Sequence, residues 1–131
     1  MNILFGYGHE KLNIKLPEEQ IISVLKPNDV PIDLTGFEEV KRSLCAPIGS
    51  KRLYNIVKPS QKLVIITSDI TRPVPSYEII PPILKELNAA GVKDNDIQVV
   101  FALGSHREHT EDEKRKLVGD FVYNRVSCID S

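Results

Sequence analysis

The stretch LVIITSDITRPVPS, residues 63–76, joins an apolar run to a polar loop that contains two prolines. The apolar residues 63–66 are rich in β-branched side chains, which is typical of a parallel strand covered on both faces. The prolines prevent the chain from continuing as a paired strand. A strand followed by a polar binding loop is therefore predicted, and the loop carries Ser68, Asp69, Thr71 and Arg72.

Two further apolar runs, residues 96–103 and 125–129, indicate a second and a third strand. Between the first two, apolar residues at helical spacing over 79–87 predict a helix, which Pro81 and Pro82 must either kink or begin. Between the last two, TEDE at 110–113 is a capping box that opens a helix ending near Gly119. This alternation predicts an α/β fold with a Rossmann-like parallel βαβαβ unit.

The first 60 residues have a different pattern. Alternating apolar and polar residues around a glycine predict a small β-hairpin over 2–17. A third short extended piece begins at residue 20 and ends at Pro27. Helices are predicted over 35–46 and over 50–57, the second capped by Ser50.

The overall composition limits the function. A chain of 131 residues suits a single domain. Seventeen basic and 18 acidic residues give no strong field for nucleic acid or an anionic membrane. The two cysteines lack the spacing of a zinc site or disulfide framework, and no apolar run approaches the roughly 20 residues of a membrane helix. A soluble, cytoplasmic protein without a leader peptide is expected.

Polar clusters follow the first two predicted strands, as TSDITRP at 67–73 and GSHREHT at 104–110. Because parallel strands end at the same edge of a sheet, the two loops should meet and form a ligand site. The side chains that this places together are Asp69, Thr71, Arg72, Ser105, His106 and Arg107. A guanidinium suits a carboxylate or phosphate, and an imidazole takes and returns a proton near neutral pH.

Simpler interpretations of these residues exist. Asp69 and Thr71 are residue types that often cap a turn, and Arg72 has an acidic neighbour in Glu78. His106 and His109 lie three apart, the pattern of a partial metal site, but without a third ligand His109 is expected on the surface.

Three motifs occur in the order found in one family: PIGS at 47–50, SDITRPVPS at 68–76 and GSHREHT at 104–110. With them the chain resembles the N-terminal part of the lactate racemase family, the racemases and epimerases of 2-hydroxy acids that depend on a nickel-pincer nucleotide. The resemblance implies proton-coupled hydride transfer to that cofactor. It also implies that His106 is an acid/base catalyst, that Asp69, Ile70, Thr71 and Arg72 contact the cofactor, and that Arg72 holds the substrate carboxylate.

In that family, a second catalytic histidine, a lysine that tethers the cofactor and a histidine that binds nickel lie beyond the position of Ser131. Residues 1–131 are therefore expected to be the N-terminal domain of a larger two-domain racemase, inactive alone, with lactate or a related acid as substrate and the missing C-terminal domain as partner. Two alternatives are a non-catalytic module that binds small anions and a zinc-assisted hydrolase that uses His106 and His109.

Overall fold

The computed structural model describes residues 1–131, which divide into two compact units, residues 1–31 and 32–131. The first unit contains the predicted hairpin, in which strand β1 (Asn2–Tyr7) pairs antiparallel with strand β2 (Glu10–Lys15). The predicted third extended piece does not form a strand, and only a short 3₁₀ turn, Glu18–Gln20, follows the hairpin. Prolines at 17, 27 and 31 remove backbone donors that a further strand would need.

The second unit alternates helices and strands. Its elements are α1 (Gly36–Cys45), β3 (Leu63–Ser68), α2 (Ser76–Ala89), β4 (Ile97–Ala102), α3 (Glu111–Tyr123) and β5 (Ser127–Asp130). The three strands form one parallel sheet in the order β3-β4-β5, so the Rossmann-like βαβαβ prediction is confirmed. None of the helices combines the length and the apolar composition that a membrane span requires. Both cysteines, Cys45 and Cys128, are free.

One face of this sheet is buried and the other is exposed. Ile97, Val99 and Phe101 of β4 are at most 2% exposed and form the core with α2 and α3. On the opposite face, Val64 is 58% and Ile66 is 72% exposed. The prediction of a strand covered on both faces is therefore wrong for this chain. Crossovers of one hand between consecutive parallel strands place both helices on the same face.

The two sheet-packed helices differ from expectation in detail. α2 begins at Ser76, so Pro81 and Pro82 lie inside it rather than at its start. The predicted capping box at the start of α3 is confirmed. The Thr110 side chain accepts a hydrogen bond from the Glu113 N–H, and the Glu113 carboxylate accepts one from the Thr110 N–H. The helical segment that Thr110 caps is interrupted at Gly119, with φ 77°, near its predicted end, and a second segment continues α3 to Tyr123 with Val122 buried in the core.

The predicted helix over residues 50–57 is wrong. Only a 3₁₀ turn, Leu53–Asn55, forms there, and Arg52 has an extended backbone. The Arg52 guanidinium donates to Glu86 on α2, at 2.8 Å between Nη2 and Oε2, and the Tyr54 N–H donates to the same carboxylate at 3.2 Å. Glu86 is buried, and a buried carboxylate needs such donors, so this distant contact determines the local backbone.

Candidate functional site

The carboxyl ends of β3 and β4 border an open cleft of about 480 Å³. Its walls come from the two polar loops that the sequence places at this edge. The lining residues are Ser68, Asp69, Arg72, Ala102, Leu103, Gly104, Ser105 and His106. The structure thus brings Asp69, Arg72 and His106 together in one cleft, as the parallel topology predicts.

Asp69 is the best-shielded polar group of the cleft, with only 3% of its surface exposed. Its Oδ1 accepts the Thr71 hydroxyl at 2.8 Å, the Thr71 N–H at 3.1 Å and the Arg72 N–H at 3.3 Å. Its Oδ2 faces His106 Nδ1. The hydrogen bond with His106 and those from Thr71 lower the pKa of Asp69 to about 2. The carboxylate therefore caps the turn, as the simpler interpretation holds, and also orients a histidine.

The two nitrogens of His106 have different surroundings. Nδ1 lies against the Asp69 carboxylate and 3.2 Å from the Thr71 hydroxyl oxygen, whereas Nε2 has no partner within the chain. An ionised carboxylate favours a proton on Nδ1, which leaves the Nε2 lone pair free. The side chain is 42% exposed, so a ligand in the cleft can reach it. This arrangement makes His106 a potential proton acceptor.

Arg72 supplies the free positive charge of the cleft. Its side chain is exposed and makes no hydrogen bond or ion pair within the chain, so the alternative pairing with Glu78 does not occur. The hydroxyl oxygen of Ser68, also in the cleft lining, is buried without a hydrogen-bond partner. A guanidinium and a hydroxyl that lack internal partners suit an anionic ligand.

Arg107 does not join this group, although the sequence places it there. Its guanidinium makes two bonds to Glu113 of α3, at 2.7 and 2.8 Å, and points into the capping box. These bonds are the main reason that the pKa of Glu113 is lowered to about 2. Arg107 therefore stabilises the start of α3, and Arg72 is the cation of the cleft.

His109 is buried, so its predicted surface position is wrong. Its Nε2 accepts the Ile70 N–H at 3.0 Å, and its Nδ1 lies 2.6 Å from Asp130 Oδ1 at the end of β5. With both nitrogens engaged, it does not share a metal ion with His106. No group of three or more His, Cys, Asp or Glu side chains is arranged to hold a metal.

Sequence reasoning missed Asp130. The signal was available, because Asp130 ends the third parallel strand and so lies at the same sheet edge as the two polar loops. The missed residue binds His109, which in turn contacts the loop that carries Asp69.

Comparison with known proteins places these residues in a family. The profile described as "Lactate racemase N-terminal domain" matches residues 7–131. A lactate racemase of Thermoanaerobacterium thermosaccharolyticum is 39% identical over 126 residues, which cover 94% of this chain and 29% of that protein. A lactate racemase of Lactiplantibacillus plantarum is 39% identical over 96 residues, 73% of this chain and 22% of that protein.

A solved structure gives the same result for the fold. The lactate racemase apoprotein from Thermoanaerobacterium thermosaccharolyticum matches with a TM-score of 0.80 and 34% identity, over 99% of this chain and 30% of that one. The chain therefore spans less than a third of the length of the relatives that it matches.

We expect Asp69 to contribute to stability in a pH-dependent way. Its pKa of about 2 in the folded chain lies below the ordinary value of 3.8, so its contribution is present above pH 3.8 and is lost as pH falls towards 2. The difference in free energy of unfolding between the wild type and Asp69→Asn should shrink over that interval, as measured by urea titration at several pH values.

Asp33→Asn is the control, because Asp33 is exposed and makes no hydrogen bond. The pH range starts at roughly 4.5, just above the reference carboxyl pKa. A difference in free energy of unfolding between the wild type and Asp69→Asn that stays constant from there down to pH 2 would show that the Asp69 carboxylate is not stabilised by its partners.

Proposed function

Since the chain belongs to the lactate racemase N-terminal domain family, we propose that it forms the N-terminal part of an enzyme that interconverts D- and L-2-hydroxy acids. The observation that carries the proposal is one cleft that holds both a histidine oriented by a carboxylate and a guanidinium without an internal partner. A 2-hydroxy acid needs both groups, one for its hydroxyl proton and one for its carboxylate.

In this proposal His106 acts as the acid/base catalyst on one face of the substrate. Its free Nε2 takes the proton of the C2 hydroxyl, and the cation that forms is stabilised by the Asp69 carboxylate at Nδ1. When the hydroxyl is restored on this face, the same nitrogen returns the proton, whereas inversion requires an acid/base group on the other face to return it. Thr71 holds the carboxylate in place by donating two hydrogen bonds to Oδ1.

Arg72 binds the substrate carboxylate, and it also contributes with Asp69, Ile70 and Thr71 to the contacts with the cofactor. The family implies a nickel-containing cofactor, and we propose the nickel-pincer nucleotide, which supplies the acceptor and donor of the C2 hydride when bound. The free guanidinium and the unpartnered Ser68 hydroxyl fit its anionic groups. As the resemblance to the family implies, we assign the nickel ligand and the lysine tether to a part of the protein outside residues 1–131.

We further propose that residues 1–131 are one domain of a longer two-domain polypeptide. The relatives are more than three times as long, and all-parallel sheets almost always have both faces covered. Here Val64, Ile66 and Ile129 form an exposed apolar face on the sheet that carries the site. A further segment of the same polypeptide is the occupant that we propose for this face. A cytoplasmic location is part of the proposal and agrees with the two free thiols.

The second candidate is a module that binds a small anion without catalysis. The exposed, unpaired Arg72 favours it as much as it favours the racemase. Asp69 distinguishes the two, because anion binding alone does not need a buried carboxylate that orients a neighbouring imidazole.

His106→Gln in the longer protein should lower kcat by about 10²- to 10⁴-fold, the usual contribution of a general acid/base catalyst. Racemisation of a 2-hydroxy acid, followed by polarimetry or chiral chromatography, gives the rate. Glu108→Gln is the matched control, because Glu108 lies in the same loop, is exposed and has no side-chain partner. Near-normal kcat in His106→Gln would refute the assigned role.

Arg72→Ala in the longer protein should raise KM for the hydroxy acid by roughly ten- to a hundredfold, because a charge-assisted hydrogen bond to the carboxylate is lost. Lys51→Ala removes an exposed cation outside the cleft and should leave KM unchanged. Equal effects of the two substitutions would mean that only overall charge matters and that Arg72 does not hold the carboxylate.

The purified chain of residues 1–131 should not racemise lactate, since it offers an acid/base group for one face of the substrate only. Inversion requires proton handling on both faces. The test is chiral chromatography of D-lactate after incubation with the chain and a nickel-pincer nucleotide. Formation of L-lactate above the level of a protein-free sample would contradict the division of the site that we propose.

A further inference from the structure

His109 is among the most enclosed polar side chains of the second unit, with only 1% of the side chain exposed. Its ring packs edge-on against Phe101, with 5.1 Å between the ring centroids. A buried imidazole needs a hydrogen-bond partner at each nitrogen, and His109 has both. Its Nδ1 faces Asp130 and its Nε2 faces the backbone N–H of Ile70.

The donors and acceptors determine where the imidazole proton lies. The Ile70 N–H can only donate, so Nε2 of His109 must be the acceptor and carry no proton. Nδ1 then carries the proton and donates to Asp130 Oδ1 at 2.6 Å. The other carboxylate oxygen accepts the His109 N–H at 2.9 Å and lies 3.6 Å from Lys114 Nζ. The surroundings therefore select the neutral Nδ1–H tautomer.

The contact at Ile70 affects the site described above. Ile70 lies between Asp69 and Thr71, the two residues that contact His106 Nδ1. A chain of hydrogen bonds thus runs from Asp130 at the end of β5, through His109, to the loop after β3. A loop held at the Ile70 N–H keeps the neighbouring carboxylate in one orientation.

We propose that His109 is a positioning residue: its Nδ1–H tautomer, selected by Asp130, holds the Ile70 N–H and thereby keeps Asp69 aligned with His106. The effect on turnover rests on the proposed function, whereas the hydrogen-bond arrangement does not. His109 is not among the residues that line the cleft, and in this proposal it acts through the loop that carries Asp69.

The first test is the tautomer of His109 in the ¹⁵N-labelled 131-residue chain. Two-bond ¹H–¹⁵N correlation spectra of imidazoles distinguish a protonated from an unprotonated nitrogen. The expected result is a proton on Nδ1 and none on Nε2, with His106 as an internal comparison. A proton on Nε2 of His109 would overturn the proposal without any variant.

The second test compares two amide replacements of His109. The carbonyl oxygen of Gln reaches the position of Nε2 and can accept from Ile70, whereas the shorter Asn reaches only the position of Nδ1, towards Asp130. Hydrogen exchange of the Ile70 amide should stay slow in His109→Gln and accelerate by about tenfold in His109→Asn, the effect of one lost hydrogen bond on local opening. The Val99 amide in the core reports whether each variant is folded.

The third test uses turnover in the longer protein. His109→Asn should lower kcat by about tenfold with little change in KM, because the substrate-binding Arg72 is retained, and His109→Gln should restore kcat. Equal Ile70 exchange in the two variants, or equal kcat, would overturn the positioning role. A wild-type protein that does not racemise hydroxy acids would refute the proposed function and leave the tautomer and exchange results to decide the positioning role.

Discussion

Asp69 carries a negative charge at a position that water hardly reaches, and a buried carboxylate is stable only where donors surround it. Two hydrogen bonds from Thr71 and one from the Arg72 backbone curl the loop after β3 around Oδ1. His106, from the loop after β4, forms the hydrogen bond of its Nδ1 with the other carboxylate oxygen of Asp69, Oδ2. The need to satisfy one carboxylate therefore joins two strand ends, and the same contacts give His106 its tautomer and leave Arg72 free for a ligand.

The strands and helices whose conformation depends on neighbouring residues in the chain could be predicted from the sequence. The β-branched runs gave the parallel strands, and the pattern of Thr110 and Glu113 gave the start of α3. The cleft followed from topology, because parallel strands end at one edge. Prediction failed where a distant partner decides the structure. Residues 50–57 have helical spacing, but Arg52 binds Glu86, which lies 34 positions away.

His109 shows the same limit within the site. Beside a capping box it has the pattern of a surface residue, yet its partner Asp130 lies 21 positions further along the chain. The two histidines of one short motif consequently have different surroundings. His106 has one nitrogen available to a ligand, whereas His109 has none. The spacing of the two histidines is that of a partial metal site. The hydrogen bonds instead place His106 in the cleft and His109 beneath the loop after β3, where it holds the Ile70 N–H.

The central claim is that residues 1–131 supply one half of a site for a 2-hydroxy acid. The most direct test is a crystal structure of the longer protein with a 2-hydroxy acid bound. The account predicts His106 Nε2 within roughly 2.6–3.2 Å of the C2 hydroxyl, the usual reach of a general base, and the Arg72 guanidinium paired with the carboxylate. A hydroxy acid bound at the active site without contact to either side chain would contradict it.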